Sequence, residues 1–154
     1  MSQIYFAYGS NMKIERITKR APSVRVLGRA RILDKQLAFN KISTDGSGKA
    51  NIVDASSIFV WGVLYEIDEC DIPKLDDTEK GYDKQNIVVM GDNERPFRAF
   101  TYIATRTKEG LIPYDWYLKL IIQGAEDNKL PKEYIENLRK YASMPDSRKK
   151  DLHH

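Results

Sequence analysis

Histidine is almost missing from this 154-residue sequence: its two copies, His153 and His154, stand at the extreme C-terminus, where they read as part of a terminal tail. With no interior histidine, Ser-His-Asp and Cys-His hydrolase chemistry is excluded. A single cysteine, Cys70, removes an internal disulfide and the usual His/Cys metal sites as well, and it fits a reducing, cytoplasmic setting. Long hydrophobic runs are also missing. The longest, residues 58–65, falls far short of the roughly 20 residues a membrane-spanning helix needs. The first residues alternate like a strand and do not form a signal-peptide core, so no membrane partner is expected. Any acid–base chemistry falls to carboxylates, Tyr or Lys.

Lys and Arg number 25 against 22 Asp and Glu, and 42% of the residues are hydrophobic, the balance of an ordinary globular domain with one core. The positive excess is concentrated in residues 1–36, where eight Lys or Arg face only Glu15 and Asp34. These cations are dispersed over a helix and two strands without interleaved aromatics. They read as a solvated face, and no nucleic-acid partner is expected.

Residues 3–8 alternate with Ile4, Phe6 and Tyr8 on one face, a strand pattern that Gly9-Ser10-Asn11 breaks. A short helix over about 12–20 follows, with Ser10 or Asn11 available as its cap, and it stops before Pro22. Strands are predicted over 24–33, 36–41 and 49–53, with a turn-rich loop at 43–48. The apolar run 58–67 reads as a strand buried on both faces, followed by a short helix over 68–76. Strands 85–90 and 97–104 form an antiparallel pair. A helix over 114–123 ends at Gly124, and Pro131 opens a final helix through 141. Residues 1–144 thus form a single α+β domain on a mainly antiparallel, closed or nearly closed sheet, and 145–154 form a mobile polar tail.

The chemistry-bearing candidates are few. A glycine between a strand and a helix, as in Tyr8-Gly9-Ser10-Asn11, lets backbone N–H groups gather near one anion, but the same loop serves equally as an ordinary capped turn. It fits neither a P-loop nor a dinucleotide fingerprint. Asp76, Asp77 and Glu79 form a carboxylate cluster that on pattern alone solvates a helix end. Tyr102 and Tyr117 read as core aromatics whose hydroxyls could face a cleft.

The run Ile4-Tyr5-Phe6-Ala7-Tyr8-Gly9-Ser10-Asn11-Met12, with Glu15-Arg16-Ile17 and Arg20-Ala21-Pro22-Ser23 behind it, resembles the opening of the γ-glutamylcyclotransferase family. The resemblance continues in order through Val60-Trp61-Gly62-Val63-Leu64-Tyr65, Leu75-Asp76 with Glu79, Gln123-Gly124-Ala125, Leu130-Pro131 and Glu133-Tyr134. It implies a small mixed barrel with surrounding helices and an enzyme that converts γ-glutamyl amines to 5-oxoproline and free amine, without metal or organic cofactor. It further implies Glu79 as general acid/base, a cradle for the γ-glutamyl group at Tyr8, Gly9, Ser10, Asn11 and Met12, and Tyr102 and Tyr117 lining the same pocket. A homodimer is what some relatives suggest. In many dipeptide-cleaving relatives a tyrosine stands seven residues after the glutamate; here that position is Asn86, with Tyr82 nearby. The leaving group is therefore open between an amino acid, another amine such as lysine, and a γ-glutamyl-protected product. A domain that binds γ-glutamyl ligands without turnover is the alternative of another class.

Overall fold

The computed structural model describes residues 1–148. Five strands, β1 (Ser2–Ala7), β2 (Arg25–Ile42), β3 (Gly48–Asp68), β4 (Tyr82–Gly91) and β5 (Pro96–Ala104), close into a barrel in the order β1-β3-β2-β4-β5. Every pairing is antiparallel except the closing seam, where β1 and β5 run parallel and meet at Tyr5 and Phe100. Around the barrel lie α1 (Ile14–Arg20), α2 (Ile72–Thr78), α3 (Asp115–Asp127) and α4 (Lys132–Arg139). Phe6, Val63, Tyr65, Ile67 and Val89 of the strands are buried in one core with Met12, Ile17, Leu75, Ile121 and Leu138 from the helices and the turn after β1. Among the described residues no helix is long and apolar enough to cross a membrane.

Several predicted elements change length for physical reasons. The segments 24–33 and 36–41 are one strand, because Asp34 takes a left-handed conformation (φ 58°) that shifts the register without ending the pairing. The segments 49–53 and 58–67 likewise fuse into β3. Its pairing with β2 steps from Leu33↔Phe59 to Lys35↔Asp54, leaving residues 55–58 bulged outward. Ile58 and Phe59 are accordingly 45% and 44% exposed, and only the run from Val60 onward is buried as expected.

Gly124 does not end its helix. A Cβ there would lie 2.7 Å from the Met12 carbonyl carbon and 2.9 Å from the Lys13 nitrogen, so this glycine is where α3 presses against the loop after β1. Residues 145–148 do not hang free either: Asp146 is 6% exposed and accepts a hydrogen bond from Trp116 Nε1 at 2.9 Å. The rest of the predicted tail, 149–154, lies outside the described residues.

Candidate active site

The turn after β1 is the floor of the site. Gly9 precedes a single 3₁₀ turn, Ser10–Met12, closed by the Met12 N–H donating to Gly9 O and the Lys13 N–H to Ser10 O. Neither Ser10 nor Asn11 caps a helix with its side chain, and α1 begins only after Lys13 in extended geometry. The Tyr65 hydroxyl donates to the Asn11 and Met12 carbonyls at 2.9 and 3.1 Å, and Asn128 Nδ2 donates to Met12 O at 3.0 Å. The loop is thus bolted to β3 and α3 from behind. The first two amides of such a turn, Ser10 and Asn11, have no acceptor within it, which leaves donors at the floor.

Asn11, freed from capping, organises the charged centre. Its amide Nδ2 donates to the Tyr5 hydroxyl at 3.0 Å and to Glu79 Oε1 at 3.1 Å, while its Oδ1 accepts from Arg20 Nη1 at 2.8 Å. Arg20 also stands 3.7 Å from Glu79 Oε2. Glu79 closes the C-terminal end of α2, and its side chain is only 15% exposed. Burial raises its pKa above the ordinary carboxylate value, and the positive charges of Arg20, Arg16 and Lys41, with the Asn11 hydrogen bond, only partly offset that rise.

Glu79 and the turn share a cavity of about 140 Å³, room for a few water-sized volumes or a small amino-acid fragment. Tyr5, Tyr8, Tyr82, Tyr102 and Tyr117 supply its aromatic wall. Their hydroxyls are tied into the framework. Tyr8 donates to the Tyr102 carbonyl at 2.5 Å, Tyr82 to the Ala50 carbonyl at 2.7 Å and Tyr102 to Asp76 at 2.7 Å, while Tyr117 accepts from the Ala50 N–H at 3.1 Å. Burial first, and the negative charge of Glu79 in addition, raises the pKa of all five. They are neutral shape-setting groups at ordinary pH, so Glu79 is the group in this cavity fitted to exchange a proton. Among the described residues no three His, Cys, Asp or Glu side chains gather to hold a metal ion.

Of the predicted residues, the fold brings Glu79, Tyr8, Gly9, Ser10, Asn11, Tyr102 and Tyr117 to one cavity. Met12 is the exception. It is fully buried behind the turn, against Gly124, and does not line the hollow. Tyr82 lines it, whereas Asn86 opens onto a different depression on the outer face of β4 and β5. The solvated-face reading of the N-terminal cations fails for Arg16 and Arg20. Both point into the cavity, and Arg16 Nε is buried with no hydrogen-bond partner. Their i, i+4 spacing places them on one face of α1 and was a legible signal. Lys41, Lys49 and Lys80 also line the cavity, and no local pattern in the sequence marks them.

A closed mixed barrel that carries one desolvated carboxylate beside a strand-to-helix turn is a γ-glutamylcyclotransferase-like protein. The family model of the AIG2-like family matches residues 59–138. The chain is 33% identical over 147 residues to the human protein named gamma-glutamylcyclotransferase, covering 90% of this chain and 78% of the relative, and 34% identical over 145 residues to its mouse counterpart, covering 88% and 77%. A solved structure named gamma-glutamyl cyclotransferase superposes with a TM-score of 0.88 at 29% identity, covering 99% of this chain and 98% of that one. The chain belongs to the AIG2-like, γ-glutamylcyclotransferase family.

Proposed function

We propose that this protein is a γ-glutamylcyclotransferase that converts γ-glutamyl-amino acids to 5-oxoproline and the free amino acid, with Glu79 as general acid/base. One observation carries the reading: the sole carboxylate of the described residues that lines the cavity is buried, faces the turn at Gly9–Asn11, and is held toward its neutral form. The similarity to proteins named gamma-glutamylcyclotransferase supports it.

The substrate carries its own nucleophile. Its α-amine nitrogen attacks the γ-carbonyl carbon, a five-membered ring closes with an oxyanion on the carbonyl oxygen, and the amide C–N bond to the leaving amine then breaks. Overall the α-nitrogen loses two protons and the leaving nitrogen gains two. Glu79 accepts one as the amine attacks and returns it to the departing nitrogen; the other exchanges with water. A cavity that holds the glutamyl chain curled can recover a large part of the roughly 7–11 kcal/mol available from proximity. The Ser10 and Asn11 amides, without an acceptor inside their turn, serve in this reading to stabilise the oxyanion or to bind the α-carboxylate.

Glu79→Gln keeps the shape and the capacity to meet Asn11 but cannot carry the proton. It should lower kcat for 5-oxoproline release by about 10²–10⁴-fold while substrate still binds in calorimetry. Turnover at the wild-type rate would reject Glu79 as the acid/base.

A further inference from the structure

Among the described residues five cationic side chains line the cavity around the single carboxylate of Glu79, and they fall into two groups. Arg16 and Arg20 come from α1 and approach Glu79 beside Asn11. Lys41, Lys49 and Lys80 come from the ends of β2 and β3 and from the turn after α2, and of the five only Lys80 is exposed. Lys41 and Lys49 are directly paired across β2 and β3, so two like charges project to the same side, an arrangement that disfavours the sheet unless an anion answers it.

For Lys49 the answer is internal: Asp45 lies 3.5 Å away, and the Trp116 and Tyr117 rings stand under its ammonium at 4.8 and 4.3 Å. Lys41 has the Tyr82 ring, 5.2 Å from its Nζ, and the charge of Glu79 at longer range, but no carboxylate of the described residues comes within ion-pair distance. Its backbone is held on both sides, by Lys49 in β3 and by a bridge to Thr107. Its stem crosses Gly81, where a Cβ would come within 2.7 Å of Lys41 Cε and 2.9 Å of its Nζ, so the ammonium lies over the Glu79-Lys80-Gly81 turn and lines the cavity.

We infer that Lys41 binds the carboxylate of the departing amino acid, which makes this chain selective for γ-glutamyl α-amino acids over γ-glutamyl amines with a neutral or cationic leaving group. The assignment rests on the cyclotransferase reading. With the glutamyl group against the buried turn and Glu79, the other side of the scissile amide extends toward the strand-end part of the lining, which includes Lys41 and Ser43. A leaving amino acid bears its carboxylate one carbon from the scissile nitrogen, while a lysine linked through its side chain carries it several atoms further out.

The test compares kcat/KM for γ-glutamylalanine and γ-glutamylalaninamide, which differ only in that carboxylate. The wild-type enzyme is expected to prefer the acid by about tenfold, the scale of one partly exposed charge-assisted hydrogen bond. In Lys41→Gln the ratio should fall to near one, and in Lys41→Glu the amide should become the better substrate. Any effect of these substitutions on Glu79 acts on both substrates alike, so the ratio reads the carboxylate contact and not a general loss. Equal use of acid and amide by the wild type, or an unchanged ratio in a folded Lys41→Gln, overturns the subsite while leaving the cyclotransferase reading intact. No 5-oxoproline from either substrate overturns both.

Discussion

A carboxylate faced by arginines and a lysine is ordinarily held ionised well into acid, yet desolvation wins at Glu79 and its pKa moves up. The sign has two consequences. The basic form appears only as the pH rises through the raised value, so the acid limb of kcat/KM should lie above the ordinary 4.5, and Arg20→Gln, which removes the largest opposing charge, should move that limb higher still. A limb at or below 4.5, or one shifted downward in Arg20→Gln, would contradict the balance described. In stability terms folding favours the neutral form, a contribution complete below the ordinary value and lost as the pH rises through the raised one. Glu79→Gln is therefore expected to melt no lower than the wild type at neutral pH, which separates its loss of turnover from unfolding.

At the scale of elements, the site depends on how α3 seats against the turn after β1. Gly124 permits that seating, since any Cβ would overlap the Met12 and Lys13 backbone, which cannot swing aside as a side chain would. Gly124→Ala should cost about 1–3 kcal/mol in denaturant unfolding and raise KM, because the helix and the turn that it supports must separate. Unchanged stability and KM would show that the contact tolerates a methyl group. Read along the chain, Gly124 looks like a helix terminator, for glycine ends helices more often than it lets them touch; close approach is invisible until the partner backbone is in place. Asn11 is a parallel case. Beside a helix start it reads as a cap, but its amide is taken by Tyr5, Glu79 and Arg20, three partners that only the fold assembles.

Taken as a whole, the barrel is unevenly closed. β2 and β3 pair along most of their length, whereas β4 meets β2 at two residue pairs, Ala30↔Gly91 and Arg31↔Met90, and β5 meets β1 at one. Sparse ladders open first. The β4–β5 hairpin, which carries Tyr82 and Tyr102 of the cavity wall, should therefore exchange its amide hydrogens faster than the paired interior of β2 and β3, and hydrogen-exchange mass spectrometry can read the difference. Equal protection would mean that side-chain packing across the seams, including the Tyr5 and Phe100 rings stacked at 5.2 Å, compensates for the missing ladder.

The chain by itself determined the order and type of the elements, because apolar periodicity, turn residues and prolines act over a few neighbours. It also determined that any acid–base chemistry falls to carboxylates, Tyr or Lys, and through the run from Ile4 to Met12 it carried the mark of its family. Only the tertiary structure decided that Met12 faces the core while Arg16, Arg20 and Lys41 face the cavity. Barrel closure sets which side of each strand looks inward, and a charge pointing into solvent has the same local sequence as one pointing into a pocket.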